Sequence, residues 1–281
     1  MTTLCLVAMF KNEACILNEW MAHYLKQGVN KFFLINNGST DNFLPILQPY
    51  INNHTVELIN DDIKHAQEHC YNKYFLTKAK KYQWVMVVDL DEFVYARKGY
   101  RTIPQYLHTL NDTISQVCIP WKIFGSNGHK VQPQNVVKSF SKRINYNKED
   151  GFQGVIKDKK NHKYSFDKCI VRTKFLTQFG IHHHKTTNDN WITSDNNNNN
   201  LHPNRAFSKI NEQILQHSYL HLNHYAIQSY DWFMAVKKTR GAANEAVSEY
   251  VRNESYFVAF DNVSNDIDDH ELSSLTDPAT L

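Results

Sequence analysis

The chain has 281 residues, 42% hydrophobic and 13% aromatic, enough to bury a sizeable core in one large domain. Its formal net charge is +3, but the six acids of residues 261 to 281 stand without a Lys or Arg, which leaves 31 basic against 22 acidic residues before them. No stretch approaches the ~18 apolar residues of a membrane span, the start lacks the basic segment of a secretion signal, and Cys5, Cys15, Cys70, Cys118 and Cys169 form no C-x-x-C pair.

These features exclude a disulfide scaffold and a helical membrane protein. They point to a soluble, cytoplasmic chain with reduced, mostly buried thiols and a basic body suited to an anionic ligand.

Leu4 to Phe10 reads as a strand, and Glu13 to Gln27 as a helix with Ile16, Leu17, Trp20, Met21, Tyr24 and Leu25 at helical spacing. Asn12 is a cap for its start, and Gly28 ends it. Lys31 to Ile35 is a second strand, followed by the turn Asn36 to Asp41 and a short helix from near Phe43. Thr55 to Ile59, Ile63 to Lys80 and Trp84 to Asp89 then read as strand, helix and strand. This alternation predicts an α/β fold, a Rossmann-like, mostly parallel sheet flanked by helices, with ligands at the carboxyl ends of its strands. We expect a single domain over residues 1–260, with a nucleotide-binding half to about 125 and a second half over 126–260. Within the latter, an Asn-rich surface loop is expected near 188–204, and beyond it 261–281 reads as an acidic, flexible tail.

The fourth strand ends in Asp89-Leu90-Asp91-Glu92-Phe93. Asp89 and Asp91 are two apart, so in extended chain they point the same way, roughly 7 Å apart at Cα, and can share one hard cation. Acids at a strand end also cap helices or face water, so the chemistry rests on what surrounds them.

Lys11-Asn12-Glu13 after the first strand, Glu19-Trp20 and His23 in the first helix, and Asn37-Gly38-Ser39-Thr40-Asp41 after the second strand precede this motif. Trp121 to Gly128, Lys168 to Arg172 and Leu222-Asn223-His224-Tyr225 follow it. In this order the set resembles GT-A glycosyltransferases, more narrowly the family 2-like and family 92-like group, over about residues 4 to 241.

The resemblance implies a metal-dependent glycosyltransferase of the hexosyltransferase type. It would move a sugar from a nucleotide-diphosphate sugar, UDP first, to a carbohydrate, glycoconjugate or other hydroxyl acceptor with inversion. It implies Mn²⁺ or Mg²⁺ beneath the diphosphate. Asp91 is then the direct ligand, Asp89 a ligand or a contact to ribose or metal-bound water, and His224 the late third ligand. His182, His183 and His184 are rivals to it, as a second metal site, an acceptor-loop feature or a basic turn. Glu13, Asp41 and Gln67 with Tyr71-Asn72 are nucleotide contacts, Asp41 doubling as a cap of the second helix. Lys168, Arg172 and Arg240 are diphosphate contacts.

Trp121, Gly125 and Ser126 read as an acceptor floor, or else as a core Trp leading into a turn. Asp150 is the general base, with Asp231 and Glu92 as alternatives. His217, His221 and His224 stand at helical offsets but without H-E-x-x-H, which argues against a zinc hydrolase. Three other readings compete: a haloacid dehalogenase-like phosphatase with Asp89 as nucleophile, a non-catalytic nucleotide-sugar or glycan-binding module, and a nucleotidyltransferase. The phosphatase motif belongs on a first strand, whereas three strands precede this one. No nucleic-acid module is recognisable.

Overall fold

The computed structural model describes residues 2–148, 167–196, 210–240 and 252–276. The first half alternates as its periodicity dictates: β1 (Leu4–Phe10), α1 (Ala14–Lys26), β2 (Lys31–Asn36), α2 (Leu44–Asn52), β3 (Val56–Asn60), α3 (Gln67–Ala79) and β4 (Trp84–Val87). Each β-strand sends successive side chains to opposite faces, and here both faces are dry. Leu4, Leu6, Ala8, Phe32, Leu34 and Met86 pack with Trp20, Met21 and Leu47 of α1 and α2. Cys5, Val7, Phe33, Ile35, Val85 and Val87 pack on the other side with Tyr71, Phe75 and Ala79 of α3.

The chain continues through β5 (Glu92–Ala96), α4 (Ile103–His108), β6 (Gln116–Ile123), α5 (Val136–Ser139), β7 (Lys142–Arg143), β8 (Asp167–Arg172), β9 (Leu176–Gln178), β10 (Lys185–Thr186), β11 (Trp191–Thr193), β12 (Leu220–His224) and β13 (Ile267–Asp268). The main sheet has the order β3-β2-β1-β4-β8-β6-β12-β5, with β11 beside β6. β8 runs antiparallel to β4 and β6, and β5 antiparallel to β12, while the remaining pairings are parallel. The carboxyl ends of β1, β2, β4, β6 and β12 therefore share one edge with the beginnings of β8 and β5.

β4 and β5 are joined by residues 88–91 alone, yet lie four pairings apart in the sheet. Four spacings in a flat sheet are roughly 19 Å, and a five-step connection reaches at most ~18 Å. The sheet must curl, and the curl folds β8 and β12 around the Asp89–Asp91 turn.

Several elements depart from the sequence reading. α3 starts at Gln67, not Ile63, because the Asp61 carboxylate accepts from Ile63 N at 3.0 Å and from the Tyr74 hydroxyl at 2.7 Å, a side-chain turn that competes with helix. Asn12 does not cap α1. It sits at φ 54° and its Oδ1 accepts from Thr40 N at 2.7 Å, while Asp41, from the next loop, accepts from Ala14 N at 2.7 Å. Within the expected Asn-rich loop, Trp191–Thr193 is a strand on β6, and residues 197–204 lie outside the described set.

The acidic tail is corrected most. From Asp261 to Thr276 the chain ends one helix (Glu254–Asp261), forms β13 and starts another helix at Glu271. Two of its acids, Asp269 and Glu271, answer largely buried cations. Lys122, 1% exposed, donates to Asp269 at 2.9 Å and to the Tyr95 hydroxyl at 2.7 Å. Arg143 bridges Asp269 and Glu212, and Glu271 joins Arg97, Tyr95 and His221. One apolar cluster includes both Leu4 and Leu272, so the two ends share a core. Among the described residues no helix is long and apolar enough to cross a membrane.

Candidate active site

The turn after β4 sets two carboxylates in different surroundings. Asp89 accepts from Lys168 Nζ at 3.0 Å and from Gln67 Nε2 at 3.1 Å, and its side chain keeps 36% exposure. Burial would raise its carboxyl, but Lys168 outweighs this and holds it well below the usual carboxylate range. Asp91 is 1% exposed. Its Oδ2 takes the Lys237 ammonium, and its Oδ1 lies 3.6 Å from His224 Nε2 with no hydrogen-bond partner among the described residues. Against the cost of burial, the Lys237 ammonium holds Asp91 ionised.

His224 is brought there by register: it ends β12 opposite Glu92 of β5 and Ile123 of β6. Burial lowers its pKa to about 4, so at neutral pH the ring is uncharged and able to donate a lone pair. Its Nδ1 also lacks a partner among the described residues. A buried carboxylate oxygen without a hydrogen-bond partner among the described residues, 3.6 Å from the Nε2 of a neutral imidazole, makes a donor pair that fits a divalent cation. Glu92 is wholly buried and pushed up by that burial. Its Oε2 accepts from Asp89 N at 2.9 Å and lies 3.5 Å from Lys168, so it braces the turn and does not reach an acceptor.

The loops after β1 and β2 lie on the same edge. Glu13, 3% exposed, pairs with Arg240 at 2.9 Å, and Arg240 also donates to the Lys11 carbonyl. Asp41 caps α1, not α2, and its Oδ1 has no partner among the described residues. Gln67 bonds Tyr71 and Asp89, while Asn72 clamps the Phe179 backbone in both directions at 2.8 and 2.9 Å, which makes it a fold contact.

The three expected diphosphate cations separate. Lys168, 1% exposed, is committed to Asp89 and Glu92. Arg172 lies at the opposite end of β8, paired with Trp84 at the start of β4 and bonded to Ile114 O and Asp112. Lys237 was not singled out in the sequence. Its signal was there in Lys237-Lys238-Thr239-Arg240, three cations in four residues after a helix whose buried face is Trp232 and Phe233.

The acceptor floor divides likewise. Trp121 packs tilted against His224, with ring centroids 4.2 Å apart, and against His182 at 5.5 Å, so it is at the site. Ser126 is 2% exposed, and its N–H and hydroxyl both donate to Asp261, at 2.6 and 2.9 Å. Gly125 is buried where a Cβ would collide with the Asn265 side chain. Both therefore belong under the C-terminal segment and not on an acceptor surface. Asp231 is exposed on the helix Tyr230–Ala235, and Asp150 lies outside the described residues. His217 ends the helix Glu212–His217, whereas His221 and His224 are three apart on a strand and face opposite ways.

Comparison with known proteins came out as follows. A family model described as Glycosyltransferase family 92 matches residues 1–264. A rice (Oryza sativa subsp. japonica) protein named as a glycosyltransferase family 92 protein is 23% identical over 146 residues, half of this chain and 25% of that protein. Among solved structures, S. aureus TarS 1–349 in complex with UDP covers 61% of this chain and 47% of its own, at 17% identity and TM-score 0.38. GalNAc-T7 with UDP, GalNAc and Mn²⁺ covers 84% of this chain and 56% of its own, at 13% identity and TM-score 0.39. The chain thus spans a quarter to about half the length of these relatives.

Proposed function

The chain belongs to glycosyltransferase family 92, and from that premise we propose that it transfers a sugar from a nucleotide-diphosphate sugar to a hydroxyl acceptor with inversion. A UDP-sugar is the donor we favour. The observation that carries this reading is the convergence of Asp91 Oδ1 and His224, both buried and both with an unsatisfied atom, at the carboxyl edge of the sheet. With Asp89 they would hold Mn²⁺ or Mg²⁺, which supplies charge neutralisation to the departing diphosphate.

The protein's own groups do the rest. Lys168 and Gln67 orient Asp89. Lys237 and Arg240 neutralise Asp91 and Glu13, and both stand ready to turn toward a donor's phosphates, since an ammonium or guanidinium binds either anion. Glu13 and Asp41 are the acceptors offered to a ribose or base edge. Trp121 offers an apolar ring face to the acceptor sugar beside the metal ligands. For the base that takes the acceptor proton, Asp150 is our assignment. The five cysteines are free, which supports a reducing compartment such as the cytoplasm.

A phosphatase using Asp89 as nucleophile is disfavoured because its motif belongs after a first strand, whereas Asp89 follows β4, with β1, β2 and β3 before it. The test is a thermal-shift panel of UDP-, GDP-, dTDP- and CMP-sugars with and without Mn²⁺. We expect metal-dependent stabilisation by one nucleotide class, UDP first. Equal shifts with every nucleotide, or none with any, would remove the donor assignment.

A further inference from the structure

Behind the strand that carries Lys168 lies a second cluster of ligating side chains that the transfer reaction does not use. Cys118 of β6 and Cys169 of β8 are directly opposed across an antiparallel pair, their sulfurs 2.7 Å apart and both wholly buried. Asp167 is two residues before Cys169 and so shares its face, while Lys168 between them turns to Asp89. His183 completes the group, its Nε2 lying 2.9 Å from Asp167 Oδ2. It gets there through a turn so tight that a Cβ at Gly180 would collide with the His183 carbonyl.

One potential donor atom from each of these four residues lies within 4.8 Å of all the others. Asp167 is 1% exposed, yet its Oδ1 has no hydrogen-bond partner among the described residues, a costly state for a carboxylate. Trp191 closes the sulfur side. His183 borders a surface cleft of about 360 Å³ shared with Phe179, Ile181 and His182, which gives an ion a way in.

We propose that Cys118, Cys169, Asp167 and His183 form a closed structural site for Zn²⁺, separate from the donor-site cation. Two sulfurs, one imidazole and one carboxylate make a four-ligand set that suits zinc and repels Mg²⁺ or Mn²⁺, which prefer oxygen. Tetrahedral bonds of ~2.0–2.3 Å put ligand atoms roughly 3.3–3.8 Å apart, so the sulfurs and the Asp167–His183 pair would open slightly around the ion. With both thiols ionised the ligands carry one more negative charge than zinc neutralises, and the field of Lys168 already reaches Asp167. The ion would tie the Gly180–His184 turn to β6 and β8. Because two ligands flank Lys168, it would also fix the residue that orients Asp89.

The test is elemental analysis of the full chain after dialysis against metal-free buffer. We expect about one zinc per chain, falling to background in Cys169→Ser and His183→Ala and unchanged in Asp91→Ala, which is meant to disable only the donor site. Should the cysteine variant fail to fold, the wild-type chain reloaded with Co²⁺ must show a thiolate-to-cobalt charge-transfer band. A metal-free wild-type chain that takes up no Co²⁺, zinc lost with Asp91→Ala, or a mass lighter by two hydrogens from a Cys118–Cys169 disulfide would each overturn the site.

Discussion

The Lys168 ammonium lies 3.0 Å from Asp89 Oδ2, buried on a strand that runs antiparallel to the one Asp89 terminates. A cation that sequence order suggests for the diphosphate is thus the support of the carboxylate beneath it. Lys168→Met leaves Glu92 buried without its cation and Asp89 with Gln67 as its remaining tether. We expect a loss of about 3 kcal/mol, the low end for a broken buried pair because Asp89 is partly solvated, and a transfer rate far below wild type. Urea unfolding and initial rates measure the two effects, and wild-type values in both would return Lys168 to the donor pocket.

Asp91 and His224 carry the metal assignment. Asp91→Asn keeps the shape of the side chain and removes its charge, and His224→Ala removes the imidazole. Each is expected to lower Mn²⁺-dependent transfer by roughly 10²–10³-fold with an unchanged circular dichroism spectrum. Full activity of Asp91→Asn in excess EDTA would eliminate a metal at this position.

Lys237 competes with any cation for Asp91 Oδ2. In Lys237→Met that competition disappears, so Mn²⁺ should bind the nucleotide-free chain more tightly while the KM for donor rises through loss of a phosphate partner. Calorimetric titration with Mn²⁺ reads the first effect. Weaker Mn²⁺ binding would mean that Lys237 organises the site and does not rival the ion.

Acid should unfold this protein in a window set by its buried histidines. Burial lowers His23, His221 and His224 to about 4 and His182 and His184 to about 3, below the ordinary value of 6.5. The unfolded chain binds more protons than the native one between those values, so stability rises with pH through the window and is lost as pH falls from 6.5 toward 4. Each such histidine contributes up to about 1.4 kcal/mol per pH unit there. Below about 4.5 the lowered carboxyls of Glu271 and Asp269 add to the loss, because their stabilisation disappears as they take up protons. Urea midpoints at pH 7, 6 and 5 check the first regime, and a flat profile across them contradicts it.

The C-terminal segment should be indispensable to the fold. Asp269→Ala leaves Lys122, 1% exposed, with Glu271 at 3.5 Å in place of a carboxylate at 2.9 Å, and removes a partner of Arg143. We expect destabilisation of about 3–5 kcal/mol, with much of it recovered in Asp269→Ala/Lys122→Met, where the uncompensated charge is gone. If the double variant is no more stable than the single one, the ion pair is not the cause.

How far the sequence could be read follows from the range of each interaction. β1 through β4 with their helices were legible because alternation and helical spacing are local patterns, and the errors lay where a side chain competed with the backbone, as Asp61 does ahead of α3. The convergence of Asp91 and His224 was anticipated from the family pattern of a D-x-D and a late N-H-Y. The commitments of Lys168, Ser126 and Asp269 were not legible, since each depends on a partner 79 to 147 residues away that no local pattern names. Composition alone made residues 261 to 281 look solvated, whereas Asp269 and Glu271 answer largely buried cations.

The insertion of β12 between β5 and β6 also imposes an order on how this molecule is made. Until residues 220–224 have left the ribosome, β5 has no neighbour in the main sheet among the described residues, and residues 121–123 of β6, beyond the stretch that β11 covers, stand open. The same late strand delivers His224. A nascent chain therefore cannot hold the Asp91–His224 pair before its sheet is complete, and a chain halted short of β12 would carry two open hydrogen-bonding edges, the kind of surface chaperones and aggregates both seek.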